Sequence, residues 1–202
     1  MYIAKKIVKS LNFILGNLII VGCVSVQIPN ALTKITTWQQ HQQIIKHLTT
    51  WHIVGKIGFA NKHQGGNATL DWHQAKTNFA ITLHGPFKIE TVHITGKPGT
   101  VLLATSAGTN LTATTPEAII QQQLGWTVPI TGLIYWARGI PIDNAPIDFI
   151  QVPEDNRLTK LKQQGWEIEY NEYQNFNQYV LPTKITLHYD TIKIKLIFKN
   201  WL

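Results

Sequence analysis

From Trp51 to the end of the chain, apolar and polar residues alternate with a period of two, and this pattern limits the available folds more than any other feature. Trp51, Ile53, Ile57 and Phe59 alternate with His52, Lys56 and small residues; Ala68, Leu70 and Trp72 alternate with Asn67, Thr69, Asp71 and His73. The pattern continues through Phe79, Ile81 and Leu83, through Val92 and Ile94, and in short runs at 101–104 and 109–113. Successive side chains on a strand point to opposite faces, so each run predicts a half-buried strand. Turn signals separate them at Gly65-Gly66, Gly85-Pro86, Lys97-Pro98-Gly99 and Gly108. Five further strands are expected at 147–152, 158–162, 166–173, 183–189 and 192–198. In the last, Ile192, Ile194, Leu196 and Phe198 oppose Lys193, Lys195 and Lys199.

A helical signal precedes the alternation and two more interrupt it. Thr36 or Thr37 can cap a helix starting near Trp38, where Trp38, His41, Ile45 and Leu48 recur at three- and four-residue steps. Thr115-Pro116-Glu117 opens a second helix through 118–124, and a third is expected over 131–138, closed by Gly139 and stopped by Pro141. The sum is a mainly β fold with a few helices, in which about 11 strands form one curved antiparallel sheet and the helices cover one opening. A sheet of this length curls. Where its concave face is only partly filled, it encloses an apolar cavity fit for a ligand.

The N-terminal region follows different rules. Lys5, Lys6 and Lys9 precede an apolar run from Leu11 to Gly22, which is the layout of a secretory signal. At about 12 residues that run is shorter than the roughly 20 a membrane-spanning helix needs. Cys23, the single cysteine of the chain, follows directly in Ile20-Val21-Gly22-Cys23, the arrangement of a bacterial lipobox, and is the candidate lipid-attachment residue. The expected organisation is a signal at 1–22, a tether at 23–35 and a folded domain at 36–202. One cysteine permits no internal disulfide, so an exported domain of this size must be held by packing alone.

Composition excludes several function classes. The 18 Lys and Arg include the three signal lysines, so the segment beyond residue 22 carries a net charge of about +4 against 11 Asp and Glu. Arg138 and Arg157 are the only arginines and the lysines are scattered, a poor footprint for nucleic acid. Eight histidines occur, but with no His-Glu-x-x-His, no helical pair at ligand spacing and no cysteine partner, so no metal is expected and the histidines are placed on polar strand faces. Ser106 lacks a Gly-x-Ser-x-Gly elbow, and Glu167 and Glu169 fall on the solvated face of their strand, which leaves no enzyme chemistry and no cofactor. Arg138 closes a helix, where a cation already has an electrostatic reason to sit.

Seven segments, in order, resemble the LolB family of outer-membrane lipoprotein receptors: Trp72-His73-Gln74; Ile81 to Phe87; Leu124 to Pro129; Tyr135 to Pro141; Gly165 to Tyr170; Leu181-Pro182; and Ile194-Lys195-Leu196 through Trp201. The resemblance implies an incomplete antiparallel barrel of 11 strands lidded by helices. It implies a monomeric receptor, lipid-anchored in the outer membrane and facing the periplasm, that accepts acylated lipoproteins from a LolA-like carrier and inserts them into outer-membrane lipid. It also implies a protruding loop with an apolar tip, matched here by Pro86, Phe87 and Lys88, with Phe87 in place of leucine and Lys88 in place of glycine. Phe87 either probes the membrane or turns inward as core. Val24 after Cys23 fits an outer-membrane address, since aspartate there tends to retain such proteins in the inner membrane.

The strand faces nominate an acyl-chain cavity of Trp72, Phe79, Ile81, Leu83, Ile168, Tyr170, Ile185, Leu187, Leu196 and Phe198, with Leu133 and Trp136 from the helices. For each of these, plain packing and ligand contact predict the same inward side chain; only the volume left unfilled separates them. Two other readings fit the same pattern: a lipid-anchored, lipocalin-like carrier of a small apolar ligand, and a structural envelope lipoprotein with a filled interior.

Overall fold

A computed structural model describes residues 37–85, 91–124 and 128–202. Cys23, Pro86, Phe87 and Lys88 lie outside the described residues. Eleven strands form one antiparallel sheet in the order β6-β5-β4-β3-β2-β1-β11-β10-β9-β8-β7. The first six are β1 (Thr50–Ala60), β2 (Gly65–Ala75), β3 (Asn78–His84), β4 (Thr91–Lys97), β5 (Thr100–Thr105) and β6 (Asn110–Ala113). The remainder are β7 (Phe149–Gln151), β8 (Lys160–Gln163), β9 (Trp166–Phe176), β10 (Tyr179–Tyr189) and β11 (Ile192–Trp201). Each of the two halves is a meander, and pairing of β1 with β11 joins them at the centre. The edges β6 and β7 are neighbours in sequence yet do not pair, so the barrel stays open.

Three helices accompany the sheet: α1 (Trp38–Lys46), α2 (Pro116–Leu124) and α3 (Ile130–Trp136). Both α2 and α3 lie in the chain between the two unpaired edges. The caps are those the sequence offered. The Gln40 N–H donates to Thr37 Oγ1 at 3.2 Å, and the Ala118 N–H donates to Thr115 Oγ1 at 3.3 Å.

The alternating residues share one face. Ile53, Leu70, Trp72, Ile81, Ile94, Val101, Leu103, Ile168, Ile185, Leu187, Ile194 and Leu196 are all buried on it. At the junction of the halves the register of β1 against β11 shifts between Val54 and Gly55. A side chain at Gly55 would collide with the carbonyl oxygen of Ile197, so this close approach requires glycine.

The structure corrects two of the expected boundaries. The strand expected at 147–152 shortens to three residues, all exposed, as suits a sheet edge with a partner on one side only. The third helix runs from Ile130 to Trp136 rather than 131–138, because Gly139, at φ 78°, tightens the exit: its N–H donates to Trp136 O at 3.0 Å. The first helix buries His41 and Ile45 of its apolar stripe, as the three- and four-residue spacing predicts.

Candidate functional site

A cavity of about 110 Å³ lies between the N-terminal half of the sheet and α2 and α3; its atom-free space reaches about 970 Å³ when the mouth is included. Its walls are Ile57 and Phe59 of β1, Leu70 and Trp72 of β2, Ile81 and Leu83 of β3, Val92 and Ile94 of β4, Leu103 and Thr105 of β5, and Ile194 and Leu196 of β11. Ile120 of α2, Val128, and Ile130 and Leu133 of α3 close it from the other side. Thr105 is the single polar residue type among these. The indole N–H of Trp72 donates to Gln74 Oε1 at 3.1 Å, so the ring offers the cavity only its apolar surface.

A wall that presents almost no polar group gives water little to bond. Leaving the cavity empty costs stability. An alkyl chain entering it would gain dispersion contacts and lose its own exposure to water.

Of the twelve nominated cavity residues, Trp72, Ile81, Leu83, Leu133 and Leu196 line this space. The other seven do not. Phe79 occupies the same face but its ring covers Gly96, where any side chain would collide with it. Trp136 is fully buried and donates its indole N–H to Gln163 Oε1 at 3.1 Å. Ile168, Tyr170, Ile185 and Leu187 belong to the C-terminal half and are buried there away from the cavity. Phe198 meets Trp201 edge-on at 5.5 Å, within a cluster in which Trp51 contacts both Trp72 and Trp201.

Two polar residues missed in the sequence decide how the two sides differ. Gln163, buried in β8, uses its whole amide. Oε1 accepts the Trp136 Nε1–H at 3.1 Å and the Ile142 N–H at 2.9 Å, while Nε2 donates to Ile142 O at 3.1 Å and Ala145 O at 3.2 Å. It locks the segment after α3 into the C-terminal half. Glu117 of α2 holds the start of α3, its Oε1 accepting from the Thr131 N–H at 2.9 Å and the Thr131 hydroxyl at 2.8 Å. That carboxylate sits where a helix N-terminus favours negative charge. A glutamate capping a helix 14 residues later leaves no local sequence signal.

Arg138 is committed to structure. Buried, it donates Nε–H to Ile134 O at 2.9 Å and Nη1–H to Leu48 O at 2.9 Å and Ile45 O at 3.3 Å, closing the carbonyl end of α1. Lys46 pairs with Asp143 at 2.7 Å beside it. Burial lowers the Arg138 pKa, although such a shift leaves a guanidinium charged.

The β3–β4 connection carries Pro86, Phe87 and Lys88, and it springs from the rim of the cavity. Leu83 and Val92, register partners on β3 and β4, are wall residues within a few positions of it. Gly85, at φ 134°, leaves the strand where a Cβ would stand 3.1 Å from Asn67 O. No described helix is long and apolar enough to cross a membrane.

Comparisons with known proteins agree with this geometry. The family model described as outer membrane lipoprotein LolB matches residues 49–201. The outer-membrane lipoprotein LolB of Pseudomonas savastanoi pv. phaseolicola is 36% identical over 164 residues, covering 81% of this chain and 80% of that protein. The LolB of Pseudomonas aeruginosa strain PAO1 is 35% identical over 165 residues, covering 82% and 80%. Among solved structures, a LolA superfamily protein from Nitrosomonas europaea superposes with a TM-score of 0.51 at 13% identity, covering 82% of this chain and 92% of that one, a likeness of fold. An open 11-stranded sheet around an apolar cavity, and a family match spanning all of its strands, lead to one conclusion: the chain belongs to the LolB family of outer-membrane lipoproteins.

Proposed function

We propose that this protein is the outer-membrane receptor that takes acylated lipoproteins from a LolA-type periplasmic carrier and inserts them into outer-membrane lipid. One observation carries the reading: an apolar, incompletely filled cavity whose rim bears the β3–β4 connection. Transfer of an acyl chain makes and breaks no covalent bond. It needs a dry surface that accepts alkyl groups, and each methylene moved from water into such a surface contributes about 0.8 kcal/mol. A receptor that buries more of the chain than its donor draws cargo forward without an energy source.

Two membrane contacts divide the remaining work. Cys23, acylated after removal of residues 1–22, anchors the domain at 36–202 through the tether at 23–35. Phe87, at the tip of Pro86-Phe87-Lys88, enters the bilayer and opens a path from the cavity rim, with Lys88 beside lipid headgroups. A phenylalanine gains about 1.5–3 kcal/mol when it leaves water, enough to bias a loop toward lipid without fixing it there.

The test separates acceptance from insertion. In a reconstituted transfer assay, Phe87→Glu should take cargo from the carrier as the parent does and fail to deliver it to liposomes. Loss of both steps would place Phe87 in the core and overturn its assigned role. Depletion of the protein from cells should strand lipoproteins on the carrier in the periplasm, and normal sorting after depletion in a strain with no second receptor would contradict the function itself.

A further inference from the structure

The outer face of the sheet carries a group of side chains for which lipoprotein transfer has no use. His52 of β1 and His73 of β2 are direct register partners, and Asp71 precedes His73 by two residues on the same face. Direct partners on antiparallel strands hold their Cβ atoms about 4.5–5.5 Å apart, so three polar side chains converge here by register alone. The imidazole rings stack with centroids 3.7 Å apart and planes 13° from parallel. Both direct Nε2 at the same carboxylate oxygen, Asp71 Oδ1, at 3.2 Å from His52 and 3.1 Å from His73. All three donor atoms lie within 4.8 Å of one another.

From this geometry we infer a binding site for a borderline first-row divalent cation of the zinc type, with His52 Nε2, His73 Nε2 and Asp71 Oδ1 as ligands. Bonds of about 2.0–2.1 Å in a tetrahedron separate neighbouring donors by about 3.3–3.4 Å. Two of the three edges, at 3.2 and 3.1 Å, are already within a few tenths of an ångström of that separation; the third lies within 4.8 Å, and binding requires the two rings to unstack so that their in-plane lone pairs converge on the ion. Two imidazoles and one carboxylate suit zinc, copper or nickel rather than the oxygen-seeking calcium and magnesium. The relative exposures of 23%, 40% and 60% for the side chains of His52, Asp71 and His73 leave an open flank for the ion to enter and for water to complete the shell. The frame is rigid, because both strands are 11 residues long and the buried Trp72 sits between Asp71 and His73. Trp72 is also a cavity wall residue, so a bound ion pins β1 to β2 directly behind the cavity.

A zinc titration of the full lipidated protein in neutral detergent, freed of metal by chelation, tests the inference. One equivalent should bind at pH 7.5. His52→Ala and His73→Gln should each weaken binding at least about 10-fold, whereas His84→Ala should match the parent. Zinc should raise the unfolding midpoint of the parent and leave that of His73→Gln unmoved, while the two proteins unfold alike without metal. Absence of a one-equivalent site in the parent overturns the inference, as does retention of parental affinity in His73→Gln.

Discussion

The two halves of the sheet are built from the same alternating pattern and end in opposite conditions. In the C-terminal half, Leu158, Leu161, Ile168, Ile185 and Leu187 have no exposed surface; Trp136, Ala137 and Ile140 are equally buried, and Gln163 ties Trp136 and the Ile142 backbone to this side. In the N-terminal half, Ile57, Leu83, Val92 and Thr105 remain partly accessible, and the space they face is the cavity. One half provides rigidity and the other provides the vacancy. The chain spends its helices unevenly: α1 and the exit of α3 bind each other through Arg138 and Lys46, whereas α2 and the start of α3, joined by Glu117, roof the cavity.

The contrast is broken most directly by deleting equivalent side chains. Leu187→Ala should cost about 3–5 kcal/mol, the range for a leucine removed from a filled core. Leu83→Ala, beside existing empty space, should cost about 1–2 kcal/mol, because fewer contacts are lost. Denaturant unfolding measures both, and equal losses would mean that the halves are packed alike.

Next in size is the loss of the Gln163 amide. Gln163→Leu leaves the Trp136 Nε1–H and the Ile142 N–H without their acceptor, and should destabilise the protein by about 2–3 kcal/mol. The same change should leave acyl-chain affinity within about twofold once the protein is folded, since none of these groups touches the cavity wall.

Overpacking sharpens the comparison further. Ile185→Phe adds volume where none is free and should cost about 1–3 kcal/mol. Leu103→Phe adds it toward the cavity, should change stability by less than about 1 kcal/mol, and should reduce cargo acceptance in a transfer assay.

The smallest expected effect concerns Tyr170. Its hydroxyl is buried without a hydrogen-bond partner among the described residues, and burial raises its pKa well above the usual tyrosine value, so the group stays neutral. Tyr170→Phe removes an unsatisfied polar atom and should stabilise the protein by up to about 1 kcal/mol, detectable by thermal unfolding.

How far the sequence can be read follows from the same comparison. Alternation assigns a side chain to a face, and on that basis the strands, their order of appearance and the inward set were legible. It carries nothing about what stands opposite. Leu187 and Leu103 both point inward, yet Leu187 has no exposed surface and Leu103 lines the cavity. The residues behind that difference were illegible for the same reason. Gln163 reads as an ordinary polar strand residue, and the carbonyls that Arg138 caps, at Ile45 and Leu48, lie about 90 residues away in sequence. The His52, Asp71 and His73 group escaped a search for helical spacing because strand register assembles it.

Acyl chains occupy the space walled by β1–β5, β11 and the start of α3, and are excluded from the interior behind β9 and β10. Nuclear Overhauser contacts between a protonated acyl chain and the methyl groups of otherwise deuterated protein read this without any substitution. Contacts to Leu83, Ile94, Leu103 and Ile194, with none to Ile168, Ile185 and Leu187, are the predicted result. Contacts to the second set, or a bound chain that touches neither, would contradict it.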